Sequence, residues 1–269
     1  MHYDPIKKTL GRFFSGPLFM RKILYFLLDL LLLRTWHVKK ALRKLAPELP
    51  SDASVLDAGA GFGQYTWRMS LMNPNWKIKA VDIDPDHIAG CNCFFRKAGL
   101  SGRVTFEVLD LTGLKEADTF NLILSVDVME HIKEDELVFR NFCQALIPGG
   151  SLLISTPSDK GGSDVHDEDD HSFIDEHVRN GYGISDISQK LKNVGFKNIN
   201  ASYTYGTPGA ISWHLSMKYP VEMLNISKIF FLVLPFYYLI IFPVALFLNF
   251  LDVSITHNSG TGLLVLASK

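Results

Sequence analysis

One decapeptide constrains this chain more than any other stretch: Val55-Leu56-Asp57-Ala58-Gly59-Ala60-Gly61-Phe62-Gly63-Gln64. An apolar run closes on an acid, three glycines follow at alternate positions, and a helix begins. Glycines let the backbone turn tightly and approach a ligand closely, and the free N–H groups of a helix start add a polar edge. The spacing is G-x-G-x-G, whereas a loop that seats a pyrophosphate needs G-x-G-x-x-G, and here Gln64 holds the sixth position. Asp57, two residues ahead of the first glycine, suits a cationic amino-acid group better than a phosphate. A glycine loop alone is equally a plain strand-to-helix turn, so the rest of the pattern has to decide.

Downstream, four further apolar runs end in acids or small polar residues. Lys77 to Val81 closes on Asp82-Ile83-Asp84-Pro85, about 20 residues after the loop, where a doubly wound fold places the acid that bridges ribose hydroxyls. Val104 to Leu109 closes on Asp110, Phe120 to Leu124 on Ser125-Val126-Asp127, and Ser151 to Ser155 follows the turn Pro148-Gly149-Gly150. Polar residues thus recur at one edge of an expected parallel sheet, the edge at which such sheets bind ligands. Asn200 to Tyr205 and Thr261 to Ser268 read as two last strands.

The motifs V-L-D-A-G-A-G-F-G-Q (55–64), V-D-I-D-P (81–85), V-L-D-L (108–111), L-I-L-S-V-D-V-M-E-H-I (122–132) and L-I-P-G-G-S-L-L-I-S-T-P (146–157) arrive in one order. In that order the chain resembles the class I, Rossmann-like S-adenosylmethionine-dependent methyltransferases over roughly residues 40 to 200, with a last strand at the C-terminus. The resemblance implies an α/β fold with a doubly wound, seven-stranded, mostly parallel sheet. It implies S-adenosyl-L-methionine as cofactor and S-adenosyl-L-homocysteine as product. It further implies that Asp57, Gly59, Ala60, Gly61 and Gly63 hold the methionine moiety, Asp82 the ribose, Ile83 one face of the adenine, and Asp110 with Leu111 its edge. Ser125 and Asp127 would line the floor between cofactor and acceptor. Strand-end capping is the competing reading of Asp110 and Asp127.

A net charge of −1 over 269 residues supplies no basic stripe for phosphate neutralisation and argues against a nucleic-acid substrate. Cys91, Cys93 and Cys143 cannot all pair and read as thiols in a reducing cytosol. No cleavable signal peptide is expected, since no small-residue cleavage site follows the first apolar stretch.

Two apolar segments depart from a plain methyltransferase. Ile23 to Leu33, flanked by Arg21-Lys22 and by Arg34, Lys39, Lys40, Arg43 and Lys44, is too short to span a bilayer. It is expected to lie on a membrane surface, to lid the site, or to be a buried helix. Ile229 to Leu251 carries no charge and is long enough to cross. A single crossing would strand the last β-strand on the wrong side of the bilayer, so an even number of crossings, or none, is expected. Pro235 and Pro243 favour a break, giving helices that dip into one leaflet or lie flat, with Tyr237 and Tyr238 at the interface. A dimer interface or a substrate tunnel is the alternative.

For catalysis, His131 follows the fourth strand, and an imidazole suits general-base work, although the Glu130-His131 pair is equally a structural helix start. Asp127 and His177 are the other candidates. The acidic, histidine-bearing loop 158–179 reads as a solvated connection or an acceptor-binding loop, its histidines match no standard zinc spacing, and no metal site is expected. Arg179 is a candidate anion contact. The chain thus divides into a helical lid or membrane-surface segment (1–46), a cofactor-binding core (47–205), an apolar helical insertion (206–252) and a final core strand (253–269). The function expected is methyl transfer to a lipophilic small-molecule acceptor, such as a quinone precursor, a fatty-acyl pigment or a lipid headgroup. The protein would attach to one leaflet at the cytoplasmic face of the cell membrane, with a homodimer possible. A soluble acceptor or a non-catalytic cofactor-binding scaffold are the alternatives.

Overall fold

The computed structural model describes residues 17–161 and 178–269. Seven strands form one sheet in the order β3-β2-β1-β4-β5-β7-β6. They are β1 (Ser54–Ala58), β2 (Lys77–Asp82), β3 (Val104–Val108), β4 (Phe120–Val126), β5 (Leu146–Pro157), β6 (Lys197–Thr204) and β7 (Gly262–Ser268). The first five pair in parallel, and β7 runs antiparallel between β5 and β6. The strand order reverses between β1 and β4, so the carboxyl ends of those two parallel strands flank the crevice in which open α/β sheets bind ligands.

Strand composition explains why both faces are covered. Leu56, Ile123, Leu152 and Ile154 face one core with Val138, Phe139, Phe142, Ile187 and Leu191 of helices α5 (Asp135–Ala145) and α6 (Ile184–Asn193). Val55, Leu122, Leu124 and Leu153 face the other core with residues of α1 (Leu18–Leu31), α2 (Leu33–Leu45), α3 (Gln64–Met72) and α4 (Pro85–Lys97). Successive strand residues point to opposite faces, so a continuous apolar run is what a strand buried on both sides requires. The fifth strand is longer than Ser151 to Ser155, because Pro148-Gly149-Gly150 lies inside it, next to a register shift against β4.

The insertion between β6 and β7 departs from expectation. It is a helical hairpin. Its outgoing arm comprises α7 (Thr207–Trp213), a π-helical turn (His214–Lys218) and α8 (Tyr219–Ile226); its returning arm is a single helix, α9 (Phe230–Ser254). Pro235 and Pro243 sit inside α9 without ending it, which corrects the expected break. Each proline removes a hydrogen bond at a cost of about 3 kcal/mol, and packing against the outgoing arm offsets it. The hydroxyls of Tyr237 and Tyr238 donate to the carbonyls of Leu215 and Ser216, at 2.7 and 2.8 Å. These hydrogen bonds brace the two arms of the hairpin. The hairpin leaves the sheet after β6 and returns to it at β7.

The base of the hairpin is bonded to α2. Asp252, fully buried, accepts from His37 Nε2 at 2.8 Å and from the Gly209 amide at 2.9 Å. Lys40 Nζ donates to the carbonyl of Val253.

Candidate active site

The glycine loop follows β1 with φ of 79°, 50° and 77° at Gly59, Gly61 and Gly63, the left-handed region that glycine enters without strain. Its amides are spent internally. Gly59 and Ala60 donate to the Val81 carbonyl, Gly61 donates to Asp82 Oδ2 at 2.7 Å, and Gly63 donates to the Ala60 carbonyl. An anion cradle needs free N–H groups, so this loop is not built for phosphate. A Cβ on Gly59 would lie 2.2 Å from Val128 Cγ2, and one on Gly63 would lie 3.1 Å from Cys91 Sγ. A Cβ on Gly61 would meet nothing within 4 Å, so the open side of the loop is at Gly61.

The acids around this opening differ in environment. Asp57 is buried and accepts from Thr66 Oγ1; burial pushes its carboxyl up to about 7 against that hydrogen bond. Burial also opposes charge on Asp82, but the His87 ring and the amides of Asp84 and Gly61 hold its carboxyl below the usual range. Asp82 thus stays ionised at the end of β2 with lone pairs to spare for hydroxyls. Beside it Ile83 is 71% exposed, an apolar surface with no protein cover. Asp110 caps the short 3₁₀ turn Leu111–Gly113 by accepting from the amide and hydroxyl of Thr112, and Leu111 is buried. Capping is what the structure assigns to Asp110, though its exposed side remains open to a second partner. Ser125, at the end of β4, is fully buried and its Oγ has no partner.

Val128 on Gly59 brings the turn after β4 directly against the loop. Within that turn Asp127 has φ of 51°, and its carboxylate forms an ion pair with Arg34 of α2. Glu130 is buried and accepts from Thr156 Oγ1 at 3.0 Å; burial raises its carboxyl, opposed by its backbone hydrogen bond and by the neighbouring His131. His131 itself is exposed at the end of the turn. His177 lies outside the described residues. Arg179 is committed to structure: it pairs with Asp135 and donates to the Ile132 carbonyl, which removes it as an anion contact.

A lid was one of the readings of this N-terminal segment; the side chains that fasten it are what sequence reasoning missed. Arg21, read above as a headgroup-facing flank, is 1% exposed. Its guanidinium donates to the carbonyls of Phe62 and Gly90 at 2.8 and 2.7 Å and lies over the Phe94 ring. Tyr25 also donates to the Phe62 carbonyl, and Asp29 accepts from Gln64 and pairs with Arg68. Arg21, Tyr25 and Asp29 recur every fourth residue, one polar stripe in a helix whose other residues, Lys22 apart, are apolar, and that stripe was the available signal. The opposite face of α1 leaves Phe19, Ile23 and Phe26 exposed.

These features fit S-adenosylmethionine: a loop that presents no phosphate cradle, an ionised acid for a ribose, an uncovered apolar side chain for a base, and a buried hydroxyl without a partner. A family model described as a methyltransferase domain matches residues 49–200. The chain is 30% identical over 158 residues to phosphoethanolamine N-methyltransferase 1 of Triticum aestivum, covering 57% of this chain and 30% of that protein. It is 32% identical over 108 residues to the mitochondrial ubiquinone biosynthesis O-methyltransferase of Homo sapiens, covering 38% and 28%. The match thus spans less than a third of the length of these curated relatives. Among solved structures, phosphoethanolamine N-methyltransferase 2 of Haemonchus contortus in complex with S-adenosyl-L-methionine aligns with a TM-score of 0.61 at 20% identity, over 87% of this chain and 52% of that one. A putative sarcosine dimethylglycine methyltransferase from Galdieria sulphuraria aligns at 0.56. The chain belongs to the S-adenosylmethionine-dependent methyltransferases of Rossmann-like fold.

Proposed function

We propose that this protein transfers the methyl group of S-adenosylmethionine to a lipophilic acceptor at a membrane surface. The observation that carries this reading is the exposed apolar surface of α9 and α1. Along α9, Phe231, Leu232, Phe236, Leu239 and Ile240 are all more than three-fifths exposed, and the outer face of α1 adds to them. Monomeric soluble proteins rarely expose contiguous apolar patches beyond a few hundred Å². Helix α9 is also long and apolar enough to cross a membrane, at about 37 Å. Glu222 and Lys228 near the hairpin turn are exposed and favour a hairpin lying in one leaflet over one whose tip is buried in hydrocarbon. The attachment proposed is to the cytoplasmic face.

When bound, the cofactor supplies an electrophilic methyl group: the acceptor lone pair forms a bond to its carbon as the carbon–sulfur bond breaks and the electron pair stays on sulfur. The chain supplies alignment and exclusion of water, which is most of what such a step needs. The open side of Gly61, Asp57 and Ser125 receive the methionine part, Asp82 the ribose and Ile83 the adenine. Arg34 on Asp127 closes α2 over the floor of the site. An acceptor that loses a proton on methylation delivers it to exposed His131, beside the carboxyl of Glu130.

The names of the relatives favour one second reading, a water-soluble acceptor such as phosphoethanolamine, with the apolar faces covered by a second copy of the chain. The test is a membrane lipid extract incubated with protein and methyl-labelled donor, its products resolved by mass. Label in an organic-soluble product supports the proposal; label only in water-soluble products, from a dimer that floats with no vesicle, overturns it.

A further inference from the structure

The turn after β2 breaks a local rule. Helix α4 opens with Pro85, Asp86 and His87 behind its N-cap Asp84, whose carboxylate accepts from the amides of Asp86 and His87. A helix N-terminus favours acids and disfavours a cation, so Asp84 and Asp86 suit that turn and an imidazole that can take up a proton does not. A side chain that breaks such a rule is expected where function asks for it.

His87 folds back on the cofactor wall. Its Nδ1 lies 3.9 Å from Asp82 Oδ1 and 3.7 Å from Asp84 Oδ2, and its ring packs on Phe62 with centroids 4.2 Å apart. Phe62 stands between Gly61 and Gly63, so this one side chain meets both the acid that ends β2 and the glycine loop that follows β1. The Asp82 carboxylate already takes one amide on each oxygen, Gly61 on Oδ2 at 2.7 Å and Asp84 on Oδ1 at 2.9 Å. Those two bonds fix its plane and leave a lone pair on each oxygen, the arrangement that pairs with a vicinal diol. The imidazole is beyond hydrogen-bond length from the carboxylate and uses neither lone pair. What it contributes is charge: when protonated, it offsets the repulsion between Asp82 and Asp84, and it works against the burial that opposes ionisation of Asp82.

We propose that His87 is a cofactor-positioning residue, holding the Asp82 carboxylate and the Phe62 loop in the register that receives the ribose hydroxyls. The inference rests on the assignment of Asp82 to the ribose, and it involves neither the acceptor nor a membrane. The two contacts of the imidazole are separable. A phenyl ring at position 87 keeps the packing on Phe62 and loses the charge beside Asp82, whereas alanine loses both.

The test is calorimetry of the full chain with S-adenosylhomocysteine and with its analogue lacking both ribose hydroxyls, alongside thermal unfolding. The native protein should prefer S-adenosylhomocysteine by about tenfold or more, as hydrogen bonds to a charged group imply. His87→Phe should melt with the native protein, bind S-adenosylhomocysteine about tenfold more weakly and bind the analogue as before, so that the preference nearly disappears. His87→Ala should weaken both ligands, because Phe62 loses its cover as well. A full preference retained by His87→Phe, or an equal loss for the two ligands in that variant, would overturn the proposal and leave Asp82 on the ribose. A native protein that does not distinguish the two ligands would overturn the assignment of Asp82 itself, and the proposal with it.

Discussion

Arg34 of α2 forms an ion pair with Asp127 in the turn after β4, joining the N-terminal lid to the floor of the site. Asp127 holds a left-handed φ of 51° there, a conformation uncommon outside glycine, asparagine and aspartate. The two side chains are about one-third exposed, so the pair contributes at most about 1 kcal/mol to stability. Arg34→Ala is therefore expected to leave the melting temperature nearly unchanged while lowering kcat/KM by on the order of tenfold or more, through loss of alignment. Parallel thermal unfolding and steady-state kinetics check this; an equal fall in both would make the pair merely structural.

Arg21 makes the opposite case. Its removal takes one donor from each of the half-buried Phe62 and Gly90 carbonyls, leaving Phe62 with Tyr25, at a cost of on the order of 1–3 kcal/mol. Arg21→Ala should shift the urea midpoint down accordingly and weaken S-adenosylhomocysteine binding, because Phe62 sits between two loop glycines. Arg21→Lys should restore little, since one ammonium does not reproduce the guanidinium fork.

Two glycines separate packing from ligand space. Gly59→Ala should destabilise the fold, because its Cβ collides with Val128 Cγ2, and Val128→Ala should partly rescue it in a double-mutant cycle. Gly61→Ala meets no protein atom and carries only the left-handed backbone cost of about 1–2 kcal/mol, yet its methyl points into the opening. Calorimetry should show cofactor binding lost in a folded Gly61→Ala protein.

Asp57 sets a pH dependence. Its folded carboxyl is raised to about 7, so between about pH 4 and 7 the native state holds a proton that the unfolded state has released. Its contribution to apo stability therefore falls as pH rises through that window. A cationic amino group favours the ionised carboxylate, so S-adenosylhomocysteine affinity should rise from pH 5 to pH 8. Asp57→Asn should flatten the profile; an unchanged profile would separate Asp57 from the amino group.

On the hairpin, Leu239→Glu with Phe247→Glu should release the protein from vesicles in a flotation assay. Neither side chain touches the glycine loop, so S-adenosylhomocysteine affinity should not change. Retention of both variants on vesicles would move membrane contact elsewhere.

The strands were legible because each is a short apolar run bounded by glycine or an acid, as at Val55-Leu56-Asp57 and Phe120 to Ser125. The glycine loop was legible because its spacing carries a backbone requirement. The hairpin was less so: Pro235 and Pro243 argue for breaks locally, and only the outgoing arm, with Leu215 and Ser216 offering carbonyls to Tyr237 and Tyr238, makes one helix the better state. Arg21 next to an apolar run reads as a headgroup anchor until its four-residue spacing with Tyr25 and Asp29 is noticed. Arg34 on Asp127 joins residues 93 positions apart, and local pattern carries no trace of such a pair.

The most direct measurement is the initial rate of S-adenosylhomocysteine formation by this protein with two acceptor sources: vesicles made from a membrane lipid extract, and the water-soluble fraction of the same cells. The account predicts product formation with the vesicles, abolished when Leu239→Glu and Phe247→Glu detach the protein. Full activity on the soluble fraction, unaffected by vesicles or by those substitutions, would contradict it.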